Sequence, residues 1–232
     1  DDKNTMEAIS GLDRNIITFG FSENADVRAV NVKSEGIGSI FDVLYKGELY
    51  AHISMKVPGH HNITNALAAT AAAIFLKLPA EPVEKGLYSF TGAGRRFEYK
   101  GEYKGAKVYD DYAHHPSELK ALLSAAKSLG FKRLIVAFQP HTYSRTKALF
   151  DDFVRELARA DKVFLAEIYA AREDNEVGIY SRDLAEKIEG AEVCENFEEL
   201  TKRLRETASD GDIILTVGAG DIYKVGEALV EK

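Results

Sequence analysis

Cysteine is almost absent from the sequence: the 232 residues contain one, Cys194, together with five prolines and no tryptophan. A lone cysteine forms no internal disulfide, and this usage is typical of a reducing compartment. We interpret Cys194 as a small apolar residue of a short strand. Cysteine and histidine also do not recur at the spacings of zinc sites, so we assign no metal ligand to this chain.

Long apolar runs and basic tracts are missing as well. The most apolar run, residues 66–76, is too short to cross a bilayer, and there is no signal peptide. The net charge of -7 argues against nucleic acid as a main partner. These absences predict a soluble, cytoplasmic protein, with no nucleic acid and no membrane as partner.

A phosphate-binding loop is also missing. No segment matches the glycine-rich loop that ends in Gly-Lys-Ser or Gly-Lys-Thr. Residues 218–220, Gly-Ala-Gly, resemble the start of a dinucleotide fingerprint, but Tyr223 stands at the third glycine position, so we interpret them as a tight turn. The sequence opens on Asp1 rather than methionine, and its first segment contains only part of a layered fold. We therefore expect that an N-terminal portion is missing, and that these residues alone hydrolyse no nucleotide.

The first part of the chain has the pattern of a partial α/β domain. Residues 16–57 alternate short apolar stretches with turns, which predicts a β-meander. Two helices are predicted to follow, over residues 62–76 and 82–88, and small residues on the first permit close packing against a sheet. We predict one domain over residues 1–93, with residues 91–94 as a linker because they contain two glycines.

From Phe97 onward, predicted strands alternate with predicted helices, as in a mostly parallel sheet covered on both faces. We therefore predict a Rossmann-like, doubly wound α/β domain over residues 94–232. Its strands are predicted at residues 107–109, 134–138, 163–165, 192–194 and 213–217.

Two of these predicted strands end in polar loops that contain histidine. Residues 110–118 read Asp-Asp-Tyr-Ala-His-His-Pro-Ser-Glu, and Pro116 suits the first position of the following helix. Residues 139–146 read Gln-Pro-His-Thr-Tyr-Ser-Arg-Thr and precede another predicted helix, which we place after Arg145. Ligands of open α/β sheets bind beyond the carboxyl ends of the strands, so the two loops predict a site. The alternative for residues 110–118 is a surface loop with helix-capping aspartates and surface histidines.

Two weaker signals lie outside these loops. Asn62 and Asn65 stand about one turn apart at a predicted helix start, where Asn62 suits the N-cap and a carboxamide can bind the edge of an adenine. Arg95 and Arg96 follow the predicted linker, and arginine is suited to two-pronged phosphate or carboxylate recognition. A solvated charge pair is the alternative for the two arginines.

Four ordered motifs closely resemble the Mur ligase family: HHNITNALA at 60–68, GRRFE at 94–98, DDYAHHP at 110–116 and FQPHTYSRT at 138–146. The resemblance covers residues 15–230. It implies three domains: one for a UDP-sugar, a central ATPase domain and a Rossmann-like domain that brings the amino acid. The chain resembles the second half of the central domain followed by the whole C-terminal domain.

The resemblance implies an ATP-dependent ligase that joins L-alanine to UDP-N-acetylmuramate through an acyl phosphate, in peptidoglycan precursor synthesis. ATP and Mg²⁺ are the implied cofactors, and the magnesium ligands and the phosphate loop are expected in the missing N-terminal portion. Two alternatives remain. One is a ligase that reattaches a recycled murein tripeptide to the same sugar, whose motif at 138–141 would differ; the other is a noncatalytic nucleotide-binding module.

The resemblance also implies residue roles, first at the nucleotide. Asn62 and Asn65 would contact the adenine, while Arg96 and Asp111 would reach the ribose and phosphates.

At the amino acid, the resemblance implies a pocket lined by Tyr112, His114, His141 and Arg145. Arg145 would pair with the carboxylate of L-alanine, and His114 and Arg145 are the expected catalytic residues. The position of Thr142 is arginine in some family members, so carboxylate binding is expected to depend mainly on Arg145.

Overall fold

The computed structural model describes residues 1–231 and divides into two compact units, one over residues 1–91 and one from Gly92 onward. The division lies two residues before the boundary expected from the sequence, which followed residue 93. None of the helices in the described range is long and apolar enough to cross a membrane.

The first unit contains a four-stranded sheet, in the order β1-β2-β3-β4. Strands β2 to β4 form the predicted antiparallel meander, but β1 pairs with β2 in parallel, so the meander prediction is wrong for the first strand. The Asp26 carboxylate accepts hydrogen bonds from the backbone N–H and the hydroxyl of Thr18, which holds the two strand starts side by side. The elements are α1 (Lys3–Ala8), β1 (Phe19–Gly20), β2 (Val27–Glu35), β3 (Gly38–Tyr45), β4 (Glu48–Met55), α2 (His60–Phe75) and α3 (Ala80–Ser89).

Helix α2 covers one face of this sheet. Alternate strand residues such as Val43 and Ile53 are buried against Ile63 and Leu67 of the helix. The helix begins at His60 after Gly59, so the prediction that Asn62 is the N-cap is wrong. The φ of Gly59 is 96°, a left-handed value that favours glycine, and this sets the helix start before either asparagine.

The second unit contains a six-stranded sheet, in the order β5-β6-β10-β7-β8-β9. Neighbouring strands are parallel except for the β5-β6 hairpin, which confirms the mostly parallel sheet. The sequence analysis missed β5, an edge strand whose residues are mainly polar. The strands are β5 (Glu98–Tyr103), β6 (Ala106–Asp111), β7 (Leu134–Phe138), β8 (Lys162–Leu165), β9 (Glu192–Val193) and β10 (Ile213–Val217).

Helices cover both faces of this sheet, with one hydrophobic cluster on each side. In β7, for example, Val136 and Phe138 belong to one cluster and Ile135 to the other, as the alternation of strand side chains requires. Cys194 is buried after β9, and burial raises the pKa of its thiol to about 11. The helices are α4 (Pro116–Ser128), α5 (Tyr143–Ala148), α6 (Phe150–Leu157), α7 (Ser181–Ala185), α8 (Phe197–Thr207) and α9 (Tyr223–Val230).

Two helix starts bear on the site. Pro116 occupies the first turn of α4 as predicted, after His115 as the N-cap. The helix expected after Arg145 instead begins at Tyr143, and it is interrupted at Leu149, whose φ and ψ of -115° and 25° separate α5 from α6. Arg145 therefore lies within α5.

The parallel strands end at one level. Asp111 of β6 and Phe138 of β7 both pair with Val217 of β10, and Phe138 also pairs with Leu165 of β8. The loops that follow these four strands therefore meet at one edge of the sheet, where the site was predicted.

Candidate functional site

A row of aromatic rings crosses this edge. The ring centroids of Tyr112 and His114 are 5.4 Å apart, those of His114 and His141 are 5.8 Å apart, and those of His141 and Tyr169 are 5.4 Å apart. The structure thus brings together three of the residues predicted to line the amino acid pocket. Tyr169, in the loop after β8, was missed; its only signal in the sequence was its place after a parallel strand.

The loop after β6 is held by its own hydrogen bonds. Asp111 is 7% exposed, and its two oxygens accept from the backbone N–H groups of Phe97 and Ala113, each at 2.8 Å. The Glu118 carboxylate accepts from the backbone N–H groups of His114 and His115, at 2.8 and 3.1 Å. Burial raises the pKa of Asp111. Through these two hydrogen bonds, Asp111 fixes the conformation of the loop.

Arg95 supports the base of the same loop. Its Nε lies 2.9 Å from Oδ2 of the fully buried Asp110, and its Nη2 donates to the carbonyl of Gly218 at 2.7 Å. The guanidinium also lies 5.0 Å from the ring centre of Tyr112 and 4.7 Å from that of Tyr223. Burial raises the pKa of Asp110 although the guanidinium opposes this. Arg95 is thus a supporting residue, for which the sequence analysis gave no role of its own; it assigned a nucleotide contact to Arg96 alone.

Arg96 is placed differently. It is exposed, and its guanidinium lies 5.6 Å from the ring centre of Tyr112. Its positive charge also acts on Asp111, where it opposes the effect of burial on the pKa. Of the two adjacent arginines, Arg96 is thus the one whose side chain is accessible to an anion.

The loop after β7 is bound to the loop after β8 through the backbone. His141 and Tyr169 form an isolated parallel bridge, in which Tyr169 N–H donates to Pro140 and Thr142 N–H donates to Tyr169. Thr142 has φ 66° and ψ 141°, a conformation that L-residues rarely adopt. Such strain persists only where the surroundings fix it, and it is common at ligand sites.

Three polar atoms of this second loop are buried and lack a hydrogen-bond partner among the described residues: Gln139 Oε1, His141 Nδ1 and Arg145 Nη1. Burial lowers the pKa of His141, and the nearby charges of Arg145 and His114 lower it further, so its imidazole is neutral at neutral pH. Buried polar atoms are almost always hydrogen-bonded, and unpartnered ones require an explanation. A polar ligand at this edge supplies one.

Glu173, also from the loop after β8, contacts the start of α5. Its carboxylate accepts from the backbone N–H of Ser144 at 2.9 Å and from the Ser144 hydroxyl at 2.5 Å. These hydrogen bonds lower the pKa of Glu173, and the charge of Arg145 lowers it further. No sequence motif pointed to Glu173, because 29 residues separate it from Ser144.

The two asparagines of the first unit lie in the first turns of α2. Asn62 donates from its side chain to the carbonyl of Pro58 at 2.7 Å, and the exposed Asn65 donates to Asn62 Oδ1 at 3.4 Å. The ring of His60 stacks on Phe21, with centroids 4.0 Å apart. Asn62 is therefore held by the backbone and supports the accessible carboxamide of Asn65.

Within residues 1–231, no three side chains of His, Cys, Asp or Glu come together so as to hold a metal ion. The ionisable groups at the sheet edge are instead arranged around hydrogen bonds to the backbone and around the Arg95–Asp110 ion pair.

Comparison with known proteins relates both units to one family. The Mur ligase middle domain matches residues 1–73, and the domain described as "Mur ligase, glutamate ligase domain" matches residues 95–220. UDP-N-acetylmuramate–L-alanine ligase of Caldanaerobacter subterraneus is 44% identical over the whole chain, which covers 52% of that protein. The ligase of the same name from Clostridium novyi is 46% identical, and the chain covers 51% of it. The chain thus spans about half the length of these relatives.

Solved structures agree with the sequence relatives. The crystal structure of UDP-N-acetylmuramate-alanine ligase MurC from Thermotoga maritima superposes with a TM-score of 0.76 at 30% identity, over 92% of this chain and 47% of that one. MurF from Thermotoga maritima, solved with ADP, shares the fold with a TM-score of 0.75 at 19% identity, over 98% of this chain and 51% of that one. Because two domain models of one family match the chain, and these relatives match it as well, the chain belongs to the Mur ligase family.

Proposed function

We propose that the protein containing this chain is an ATP-dependent ligase that joins L-alanine to UDP-N-acetylmuramate in peptidoglycan precursor synthesis. The observation that carries the proposal is the pair of buried, unpartnered nitrogens, His141 Nδ1 and Arg145 Nη1, at the carboxyl edge of the sheet. The relatives that match the whole chain at 44–46% identity and are named for this reaction also support it.

The amino acid site follows from the chemistry of these nitrogens. A guanidinium forms strong, two-pronged hydrogen bonds with a carboxylate, so an amino acid carboxylate would give Arg145 Nη1 the partner it lacks. The neutral imidazole of His141 accepts a hydrogen bond without adding charge. We assign Tyr112 and His114 to the lining of the same pocket, because the His114 ring lies beside that of His141 and the Tyr112 ring beside that of His114.

The reacting amine must be neutral to attack an acyl phosphate, and positioning contributes most of the rate in such a reaction. We assign Arg145 to the carboxylate and His114 to the region of the reacting amine, because the His114 ring lies between Tyr112 and His141. Both residues are the proposed catalytic contacts.

The nucleotide contacts are proposed for each unit by itself. Asn65 offers an exposed carboxamide suited to an adenine edge, supported by Asn62. Arg96 is accessible to phosphates, and the lone pairs of Asp111 that remain beyond its two backbone bonds are assigned to the ribose. ATP, with Mg²⁺, supplies the activated phosphoryl group when bound; we assign no ligand of the metal to this chain.

The test is amide-ligase activity of the full-length protein. Phosphate release from ATP should require both UDP-N-acetylmuramate and L-alanine, and mass spectrometry should detect UDP-N-acetylmuramoyl-L-alanine. Turnover with the murein tripeptide but not with L-alanine would favour the recycling ligase. ATP binding without phosphate release under all conditions would favour a noncatalytic module, and either result would overturn the proposal.

A further inference from the structure

The short helix that carries Arg145 is not capped by its own residues. Thr142, at the N-cap of α5, makes no side-chain capping hydrogen bond. The first N–H groups of any helix have no partner within the helix, and one left unbonded destabilises its first turn. In α5 the Ser144 N–H instead donates to Glu173, which lies on a different segment of the chain. The first turn therefore depends on the loop after β8.

Glu173 makes two hydrogen bonds to the same residue. One oxygen accepts the backbone N–H of Ser144 and the other accepts its hydroxyl, so the carboxylate is fixed in direction as well as in distance. Glu173 is itself fixed by a turn, because its backbone N–H donates to the carbonyl of Ala170 at 3.0 Å. A carboxylate at a helix N-terminus is also electrostatically favourable.

The contact leaves the neighbouring guanidinium available. Arg145 follows Ser144 directly, and its Nη1 is buried without a hydrogen-bond partner among residues 1–231. The charge of Arg145 lowers the pKa of Glu173, yet the Glu173 carboxylate accepts its hydrogen bonds from Ser144. An acidic residue that bound Arg145 itself would compete with a substrate carboxylate.

We propose that Glu173 is a positioning residue that fixes the first turn of α5, and so directs Arg145 toward the carboxylate of the amino acid substrate. The inference rests on the proposed function, because it assigns a substrate carboxylate to Arg145. Glu173 itself touches no substrate.

The test uses steady-state kinetics of the full-length protein with each substrate varied in turn. Glu173→Ala should raise the KM for L-alanine about tenfold, the expected loss for charge-assisted hydrogen bonds, while the KM for ATP stays within about twofold. Glu173→Gln, which keeps an acceptor for the Ser144 N–H, should recover part of this loss. Glu176→Ala removes the same charge from an exposed position in the same loop and should change neither KM.

A second variant separates positioning from general stability. Ser144→Ala removes only the hydroxyl contact, so it should raise the KM for L-alanine by about threefold, and its effect should not add to that of Glu173→Ala. If Glu173→Ala does not fold, the isosteric Glu173→Gln tests the same contact, with a smaller expected rise in the KM for L-alanine.

The outcomes distinguish this inference from the proposed function. An active wild type whose Glu173 variants keep the wild-type KM for L-alanine would overturn the inference alone. Equal rises in the KM of all three substrates, together with a lower melting temperature, would also overturn it by showing a merely structural role. A wild type that does not use L-alanine would overturn the proposed function, and the inference with it.

Discussion

The loops after β6 and β7 contain similar residues but use them differently. In the first loop the carboxylates of Asp111 and Glu118 each accept two backbone N–H groups. In the second loop, polar atoms of Gln139, His141 and Arg145 are buried without partners among the described residues. Both loops combine histidine with other polar side chains in the sequence, so composition alone does not separate them.

The difference indicates which loop is built for a ligand. Hydrogen-bonding capacity that is already satisfied inside the protein stabilises the fold, whereas capacity left unsatisfied in a buried place favours a ligand that completes it. Removing a carboxylate that holds the backbone of the first loop should therefore lower stability, and removing an unpartnered group of the second loop should lower affinity for the amino acid. Four measurements test this division.

The largest effect is expected at the base of the first loop. Arg95→Ala leaves the buried Asp110 without its ion partner and should lower the free energy of unfolding by about 3 kcal/mol, since breaking a buried pair leaves an uncompensated charge. Urea unfolding of the full-length protein measures the change. The matched control is the exposed Arg96→Ala, with an expected change within about 0.5 kcal/mol. Equal losses in the two variants would refute the structural assignment of Arg95.

In the second loop, Arg145→Ala should raise the KM for L-alanine about ten- to a hundredfold, because it removes a charge-assisted pair worth roughly 1.5–3 kcal/mol. The KM for ATP should stay unchanged. Stability should not fall, since Arg145 has no ion partner in the described structure that would be left behind. Arg145→Lys should recover only part of the loss, because an ammonium lacks the planar fork. An unchanged KM for L-alanine would contradict the assignment of Arg145 to the substrate carboxylate.

Glu118→Ala provides the opposite case in the first loop. The variant removes the acceptor of two N–H groups at the start of α4, so the free energy of unfolding should fall by about 1 kcal/mol, as for other capping residues. The KM for L-alanine should stay close to that of the wild type. A large rise in this KM with unchanged stability would contradict this, and would show that Glu118 acts on the ligand through His114.

The smallest effect concerns pH. The native pKa of His141 lies below its ordinary value of 6.5, chiefly through burial, so the unfolded chain binds a proton first as the pH falls. The stability contributed by the neutral imidazole is complete above about pH 6.5 and is lost as the pH falls through the native pKa. Unfolding midpoints measured between about pH 7 and 5.5 should therefore fall less steeply for His141→Phe than for the wild type. Identical slopes would contradict this.

Much of this edge could be anticipated from the sequence. The apolar runs of β6, β7 and β10 predicted parallel strands, and parallel strands place their carboxyl ends together, so the convergence of His114 and His141 followed. Pro116 likewise predicted the start of α4, because its missing N–H and fixed φ suit only the first turn.

The residues that were missed depend on contacts distant in the chain. Tyr169 and Glu173 reach the site from a loop without a recognisable motif, and their partners His141 and Ser144 lie 28 and 29 residues away. Arg95 and Arg96 are chemically identical neighbours, and only the backbone decides which faces the sheet. The φ of Arg95 is 57°, a left-handed value that no local pattern indicated.

The position of β10 also has a consequence for how the second unit is made. This strand begins at Ile213, yet it lies in the sheet between β6 and β7, which begin 107 and 79 residues earlier in the chain. During translation, β6 and β7 each present an open edge until Ile213–Val217 leaves the ribosome, and open edges invite pairing with other chains. Folding of the unit is therefore completed only after Val217 has been synthesised, and a chain stopped before Ile213 would be prone to aggregate.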